Sequence, residues 1–481
     1  MSVTRLQNYI GGAWVDSDAS STYPVTNPAT GAVIGECPLS DSGELDAAVR
    51  SARAAFKTWR RVPAQERVQY LFRFKTLMEE HAEELAAIVT RENGKTLSEA
   101  MGSVRRGIQM IDTATGAPSL MMGQALEDIS SGIDCESIRQ PMGVFACIAP
   151  FNFPAMVPLW FFPFAVACGN TFVCKPSEQV PFSQKLVWEL IHEAGFPAGV
   201  LNLVNGGREV VESMCSHPDI AGVSFVGSSP VAEKVYAAAA TNRKRVQALG
   251  GAKNFIIVMP DADMVLTTDN LCESAFGCAG ERCLAASVIL TVGEAHGPVR
   301  AGLIEHMNKV VVGDGSKPGV TMGPVINAGA KQRILDFIAS GVADGAELVV
   351  DGREATVPDE GYFLGPTLFD GVTQDMKIAT EEIFGPVLCI QKVASLDEAL
   401  AITKAQPLAN ANSIFTQSGK SARQFRYEVD ASMAGVNIGV AAPMSFFSFG
   451  GAKGSFLGDL KAHGREAFDF FTDRKVFISR W

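Results

Sequence analysis

Residues 144–175 read VFACIAPFNFPAMVPLWFFPFAVACGNTFVCK, an apolar run long enough to raise the question of a membrane span. A spanning helix needs about 20 apolar residues in unbroken sequence. Here Pro150, Asn152, Pro154, Pro158, Pro163 and Gly169 interrupt the run. The breaks suit buried strand and loop instead. Val144–Ala149 and Asn170–Lys175 then read as short, wholly apolar strands, the kind that a parallel sheet buries on both faces.

Outward from this stretch the alternation continues. Gln184–Ala194 has helical spacing, Val200–Val204 and Gly222–Phe225 are short apolar runs, Pro230–Ala239 is helical again, and Phe255–Met259 is another strand candidate. Strands alternating with helices of this length imply βαβ units and a doubly wound parallel sheet. A second such region runs from Met264 to about Ile438. It has helices around Val299–Val312 and Ala330–Ala343, and strands at Ser287–Val292, Glu347–Val350, Pro386–Val393 and Asn412–Phe415. The turn Leu249-Gly250-Gly251-Ala252-Lys253 marks the boundary between the two regions. Before the first lies a helical layer from Asp41 to about Ile111, opened by the capping-box pair Asp41 and Glu44.

At 481 residues the chain exceeds the roughly 250–300 at which one core stops growing, so at least two lobes are expected. With 19% charged and 47% hydrophobic residues it has the composition of a globular protein. A net charge of −11 argues against nucleic acid, whose phosphates need clustered Lys and Arg. The ten cysteines lack paired short spacings, so neither a zinc or other metal site nor a secreted disulfide framework is expected. Met1–Trp14 has neither a basic-then-apolar nor an Arg-rich amphipathic pattern, and a cytoplasmic protein with no membrane association is expected.

Four segments carry candidate chemistry. Phe276–Ala285 reads FGCAGERCLA and sets Cys283 after a Gly-rich turn with Glu281 and Arg282. A thiolate there could act as a nucleophile, with a neighbouring Arg and backbone amides lowering its pKa. A buried cysteine can equally be a small core hydrophobe, as Cys272 and Cys278 in the same segment illustrate. In Ala149–Pro154 a lone amide, Asn152, either satisfies the backbone or donates to an oxyanion. Lys175 and Glu178 end a strand, as a solvated terminus or as a clamp on ribose hydroxyls. Ser228 follows another strand and precedes a helix, where amides could receive a phosphate.

These segments, together with Glu381-Glu382-Ile383-Phe384-Gly385-Pro386, resemble the aldehyde dehydrogenase superfamily in order and spacing from about Tyr9 to Trp481. The resemblance implies Cys283 as nucleophile, with Asn152 and the Cys283 amide forming the oxyanion hole. It implies NAD held by Phe151, Lys175, Glu178, Ser228 and Glu382. A carboxylate facing the ribose favours NAD over NADP, whose 2′-phosphate would meet like charge. The Gly-x-Gly-x-x-Gly fingerprint is absent, which this family tolerates. The implied architecture is α/β. It comprises a doubly wound parallel-sheet cofactor domain (1–122 and 141–248), a second α/β catalytic domain (249–440) and a small antiparallel oligomerisation flap (123–140 and 462–481). Unpaired edges of such a flap invite another copy, and a homotetramer or dimer is expected.

One departure from the family pattern is informative. Most members carry Glu-Leu-Gly-Gly-Lys ahead of the nucleophile, its Glu serving as base for the hydrolytic water. Here Val246–Lys253 puts Leu249, or in the neighbouring register Ala248, at that position, and neither moves a proton. The group that lacks this Glu is the CoA-acylating methylmalonate-semialdehyde dehydrogenases. The chain resembles it further at Gly116–Gly123, Ile148–Pro154, Gly280–Cys283 and Phe446–Gly458. That likeness implies coenzyme A as co-substrate, a small aldehyde acid as substrate, and decarboxylation to propionyl-CoA or acetyl-CoA. Arg106 and Arg282 would bind the substrate carboxylate. Read alone, Arg106 lies off the stripe Leu97, Met101, Val104 and Ile108, as a solvated Arg would. Two rival readings are a hydrolytic NAD-dependent aldehyde dehydrogenase and a noncatalytic nucleotide binder, the latter expected to lack Cys283 or Asn152.

Overall fold

In the computed structural model, which describes residues 4–481, Val144–Ile148 is an interior strand buried at every position. The first three residues of the Met1–Trp14 stretch and of the 1–122 segment lie outside the described residues. Leu201–Leu203, Thr171–Lys175, Val144–Ile148, Ile220–Val226 and Arg245–Leu249 stand side by side in that order, all parallel. Counted along the chain, the order is third, second, first, fourth, fifth. The winding therefore reverses between Val144–Ile148 and Ile220–Val226, and in open α/β sheets ligands bind beyond the carboxyl ends of the strands at that reversal. Antiparallel edges, Asn8–Ile10 on one side and Phe456–Leu457 on the other, extend the sheet.

Arg245–Leu249 is a strand that the sequence pattern does not announce, ending at Leu249 where the boundary turn Leu249–Lys253 is expected. Val246 and Ala248 pack inward, in register with Val223 and Phe225. The polar Gln247 that obscured the pattern donates to Ser224 Oγ at 2.7 Å and so sits in the core at no unpaired cost on that side. The apolar stretch after Ile148 makes no span. It breaks into a turn at Val157–Trp160 and a six-residue helix, Phe162–Ala167. Among the described residues no helix is long and apolar enough to cross a membrane.

The second sheet is built from Thr367–Asp370, Val387–Val393, Ala286–Val292, Asn254–Val258, Ala411–Phe415 and Met433–Val436, all parallel, with Glu347–Val350 antiparallel at one edge. The expected helices appear as His296–Met307 and Ala328–Ala343. The first starts earlier than its apolar pattern because Pro298 is tolerated in a first turn. Ser42–Trp59, Ala64–Glu80, Ala82–Asn93 and Leu97–Thr115 form the helical layer, and Asp41 and Glu44 close the capping box that opens it.

Gln124–Ser130, Ile133–Pro141 and Thr472–Arg480 form the antiparallel ribbon, with the last two in unbroken register from Thr472 opposite Pro141 to Arg480 opposite Ile133. Of the expected 462–481 flap segment only Thr472–Arg480 is strand, because Gly464–Phe470 is a helix whose Phe468 and Phe470 enter the core. Phe145, from the first sheet, meets Phe471 at 4.9 Å and Phe470 at 5.7 Å between ring centroids. These aromatic contacts fasten the ribbon's root to the strand that leads to the site.

Phe145→Ala removes a fully buried ring at that junction. Urea unfolding followed by circular dichroism is expected to show a loss of about 3–5 kcal/mol. A loss under about 1 kcal/mol would mean that the junction collapses around the gap and does not depend on this ring.

Candidate active site

The helix Met264–Phe276 ends at Gly277, after which the backbone runs through Cys278 (φ 52°), Ala279 (φ 53°) and Gly280 (φ 75°). Left-handed geometry at two non-glycine residues in succession is costly and persists only where surroundings enforce it. The Cys278 amide donates to Glu99 Oε1 at 2.6 Å. A Cβ on Gly280 would stand 2.1 Å from the Gly385 carbonyl oxygen, and one on Gly277 would stand 2.2 Å from Arg282 Nη2. The turn thus requires Gly280, and Gly277 leaves room for the Arg282 guanidinium; the turn delivers Arg282 and Cys283. The Cys283 carbonyl accepts from Asn254 Nδ2 at 3.0 Å and from Asn410 Nδ2 at 2.9 Å. Sequence reasoning missed both asparagines. Asn254 offered a signal, a polar residue opening an otherwise apolar strand, and Asn410 offered none.

Asn152 is buried beyond the end of Val144–Ile148, its Nδ2 donating to the Glu281 carbonyl at 3.2 Å. An amide nitrogen has two donors, so one remains for a ligand. The turn around it is fixed by two more unforeseen residues. Asn93 donates to the Phe151 carbonyl at 3.0 Å, and the buried Lys95 donates to the Asn152 carbonyl at 2.5 Å while lying over the Phe153 ring. Phe151 packs edge-on against Phe384, 5.9 Å between centroids, which brings it to the loop that carries Glu382.

Cys283, Arg282 and Arg106 line a single cavity of about 460 Å³, with Phe153, Trp160 and Phe449 among its apolar walls. Arg106 is not the solvated residue that its helix pattern suggests. The buried face of Leu97–Thr115 runs through Ala100, Val104, Gly107, Ile108 and Ile111, while Leu97 is exposed, and Arg106 stands half-buried at the edge of that face. Its guanidinium donates to the carbonyls of Pro443 at 3.0 Å and Ala442 at 3.4 Å. Arg282 donates to Cys278 Sγ at 3.4 Å and lies 3.8 Å from Glu99 Oε1.

On the other side, the parallel registers bring the ends of Val144–Ile148, Thr171–Lys175 and Ile220–Val226 together. Lys175 Nζ binds Glu178 Oε2 at 2.7 Å, with the carboxylate still partly open to solvent. Ser228 precedes the 13-residue helix Ser229–Thr241 and makes no side-chain cap bond, which leaves its hydroxyl and the Ser229 amide for a ligand, since Pro230 has no N–H and the Val231 amide donates to the Ser228 carbonyl at 3.1 Å. Ser229 Oγ, in contrast, accepts from the Gly251 amide at 2.9 Å. A dinucleotide fits this set, with a phosphate at the helix start and ribose hydroxyls at Lys175 and Glu178.

Burial pushes the Cys283 thiol up to about 12, and the Glu382 carboxylate adds to the effect. The thiol's own backbone hydrogen bond and the Arg282 charge oppose them. Burial therefore favours the neutral thiol over the thiolate at Cys283. Glu382 accepts from the Ala252 amide at 2.8 Å, and burial raises its pKa as well. Glu281, two residues before the thiol, is pushed up to about 8 by burial. Burial lowers the Arg106 pKa, and no carboxylate faces it to compensate. Ala248 and Leu249 are buried and apolar, and supply no base.

Comparison with known proteins agrees along the whole chain. The aldehyde dehydrogenase family profile matches residues 14–477. Malonate-semialdehyde dehydrogenase 2 of Geobacillus kaustophilus is 52% identical over 480 residues, covering 100% of this chain and 99% of that one. Malonate-semialdehyde dehydrogenase of Halalkalibacterium halodurans is 50% identical over 477 residues, 99% and 98% of the two chains. Among solved structures, the methylmalonate-semialdehyde dehydrogenase from Oceanimonas doudoroffii aligns with a TM-score of 0.98 at 43% identity, covering 100% and 99%. A Sinorhizobium meliloti chain assigned the same activity, complexed with NAD, aligns with a TM-score of 0.98 at 42% identity, covering 100% and 98%.

Since only the thiolate reacts, alkylation of Cys283 by iodoacetamide in the ligand-free protein should rise about tenfold per pH unit between 7 and 10. Glu382→Gln removes a charge that raises the thiol pKa, and should speed alkylation at fixed pH. Peptide mass spectrometry of Cys283 reads both. A rate already level above pH 8 would contradict the neutral resting thiol.

Proposed function

This chain belongs to the aldehyde dehydrogenase family, and on that footing we propose that it oxidises malonate semialdehyde or methylmalonate semialdehyde with NAD and passes the acyl group to coenzyme A. The substrate carboxylate leaves as CO2, and the product is acetyl-CoA or propionyl-CoA. The observation that carries this reading is the single cavity shared by the Cys283 thiol and the guanidinium groups of Arg106 and Arg282. An aldehyde acid presents its carbonyl to the thiol and its carboxylate to the arginines, and a planar guanidinium suits a carboxylate better than an ammonium does.

Cys283 attacks the aldehyde as thiolate, and the oxyanion is held by Asn152 Nδ2 and the Cys283 amide. NAD, when bound, supplies the hydride acceptor. Lys175 and Glu178 take its adenosine ribose, Ser228 a phosphate, Glu382 the nicotinamide ribose, and Phe151 flanks it. The thioester on Cys283 then meets Ala248 and Leu249 where a base for water would stand, and the thiol of coenzyme A takes the acyl group. Hydrolysis to the free acid is the second reading. One observation favours it: Glu382 is a carboxylate near enough for its charge to raise the Cys283 pKa.

Two features bear on the setting. The ribbon exposes Leu126, Val476, Phe477 and Ile478, which suits pairing with a second copy in a homodimer or homotetramer. All ten cysteines are free, in keeping with a cytoplasmic enzyme.

Multiple turnovers are expected only with coenzyme A present, with acyl-CoA as product. Steady release of free acid in its absence would establish the hydrolytic reading instead. Cys283→Ala should lose all dehydrogenase activity while NAD binding, read by calorimetry, survives. Arg106→Leu or Arg282→Leu should lower kcat/KM for malonate semialdehyde by roughly one and a half to three and a half orders of magnitude, the cost of unpairing a desolvated charge. Propanal, with no carboxylate, should lose far less. A parallel loss with both aldehydes in the Arg282 variant would mean that this residue acts on the thiol pKa and not on the carboxylate.

A further inference from the structure

Glu99 occupies the first turn of Leu97–Thr115, the helix that carries Arg106 seven residues later. Seven residues are almost two whole turns, so the two side chains leave the same face about 10 Å apart along the axis. Glu99 Oε2 accepts from the Thr96 amide at 2.9 Å and from the Thr96 hydroxyl at 2.9 Å, the reciprocal half of a capping box. A capping role ends there. The other oxygen, Oε1, reaches across the fold to the Cys278 amide at 2.6 Å, in the left-handed turn, and lies 3.8 Å from Arg282 Nη2. At that distance Arg282 is steadied by charge without being occupied by a hydrogen bond.

One carboxylate therefore joins the helix bearing Arg106 to the turn bearing Arg282 and Cys283. We propose that Glu99 is a positioning residue that sets the separation of the two guanidinium groups, and with it the length of aldehyde acid the cavity accepts. The cap fixes the carboxylate relative to the Arg106 helix, and the bond to Cys278 fixes the turn relative to the carboxylate. Without Oε1 the Cys278 amide is left buried and unpaired beside two strained residues, and the turn can relax away from the helix. The inference rests on the reading of Arg106 and Arg282 as the carboxylate site.

The test compares Glu99→Ala, Glu99→Gln and Thr96→Ala with the two Arg→Leu variants, each assayed with malonate semialdehyde and propanal in the presence of NAD and coenzyme A. Displacements of about 1 Å cost on the order of a hundredfold, so Glu99→Ala should lower kcat/KM for malonate semialdehyde about 10- to 100-fold, mainly through KM, and propanal by about 3-fold or less. Glu99→Gln keeps an oxygen acceptor for Cys278 but turns its amide nitrogen toward the Thr96 N–H, so it should recover malonate semialdehyde in part, to a kcat/KM between those of Glu99→Ala and the unaltered enzyme. Thr96→Ala loses the hydroxyl but keeps the backbone amide that holds Glu99 Oε2, so it should lower the melting temperature without changing the ratio between aldehydes. If Glu99→Ala does not fold, Glu99→Asp replaces it, since the shorter side chain cannot span Thr96 and Cys278 together and should show the same selective loss. Equal losses with both aldehydes, or a selective loss in Thr96→Ala, would overturn the role given to Glu99. If the Arg variants are selective and the Glu99 variants are not, this inference alone falls; if the Arg variants are not selective, the carboxylate reading falls and takes the inference with it.

Discussion

The left-handed turn Cys278-Ala279-Gly280 is the constraint from which the rest of the site follows. Successive side chains of an extended strand point to opposite faces, so an ordinary strand could not show both Arg282 and Cys283 to one cavity. The turn makes that possible, at a conformational cost of about 1–3 kcal/mol for each strained non-glycine residue. Contacts on every side offset it: Glu99 on the Cys278 amide, Gly385 against Gly280, and Asn254 and Asn410 on the Cys283 carbonyl. Because these contacts come from the helical layer and from three separate segments of the second region, Cys283 is placed by the whole fold and not by its own segment.

The first sheet contributes through its topology. Its winding reverses at Val144–Ile148, and the loop leaving that strand holds Phe151 and Asn152 while the neighbouring strand ends lead to Lys175 and Ser228. The loop that holds Phe151 and Asn152 therefore lies beside the strand ends that lead to Lys175 and Ser228. Asn93 and Lys95 pin that loop by its carbonyls. Charge on the buried Lys95 is disfavoured by its surroundings, which is the kind of cost a structure keeps at a functional site.

Most strands and helices with regular apolar spacing were legible in the sequence to within about two residues, because the period itself reports which face is buried; the helix expected at Val299–Val312 instead runs from His296 to Met307. Arg245–Leu249 was not legible, since Gln247 interrupts the apolar run and only a long-range partner, Ser224, makes it acceptable in the core. The same limit applies to the site. Cys283, Asn152 and Glu382 sit in recognisable motifs, and the cavity that gathers Cys283, Arg106 and Arg282 is their consequence. Asn410, Asn93, Lys95 and Glu99 act through backbone groups far away in the chain, and a residue whose partner is another segment's amide or carbonyl leaves no local pattern. Arg106 was legible only by resemblance, because its helix places it at the border of the buried face, where periodicity does not separate a solvated side chain from one turned into a cavity.

The charges in the cavity bear on each other in a definite order. Arg106 is half-buried against neutral carbonyls, so an arriving carboxylate relieves a desolvated cation that the protein itself leaves uncompensated. The same carboxylate brings negative charge toward a thiol that burial and Glu382 already hold far from ionisation, and by itself it would make the nucleophile harder to activate. Arg282 resolves the conflict by position. It adjoins the thiol in sequence, its charge lowers the thiol pKa, and Cys278 and Glu99 hold its own pKa up against the opposing effect of burial. On the proposed reading, the Arg282 guanidinium would offset the substrate's charge beside the thiol while Arg106 pairs with the same carboxylate. Arg282 then has two tasks, pairing with the acid and lowering the thiol pKa, and for that reason the two arginines would not be interchangeable.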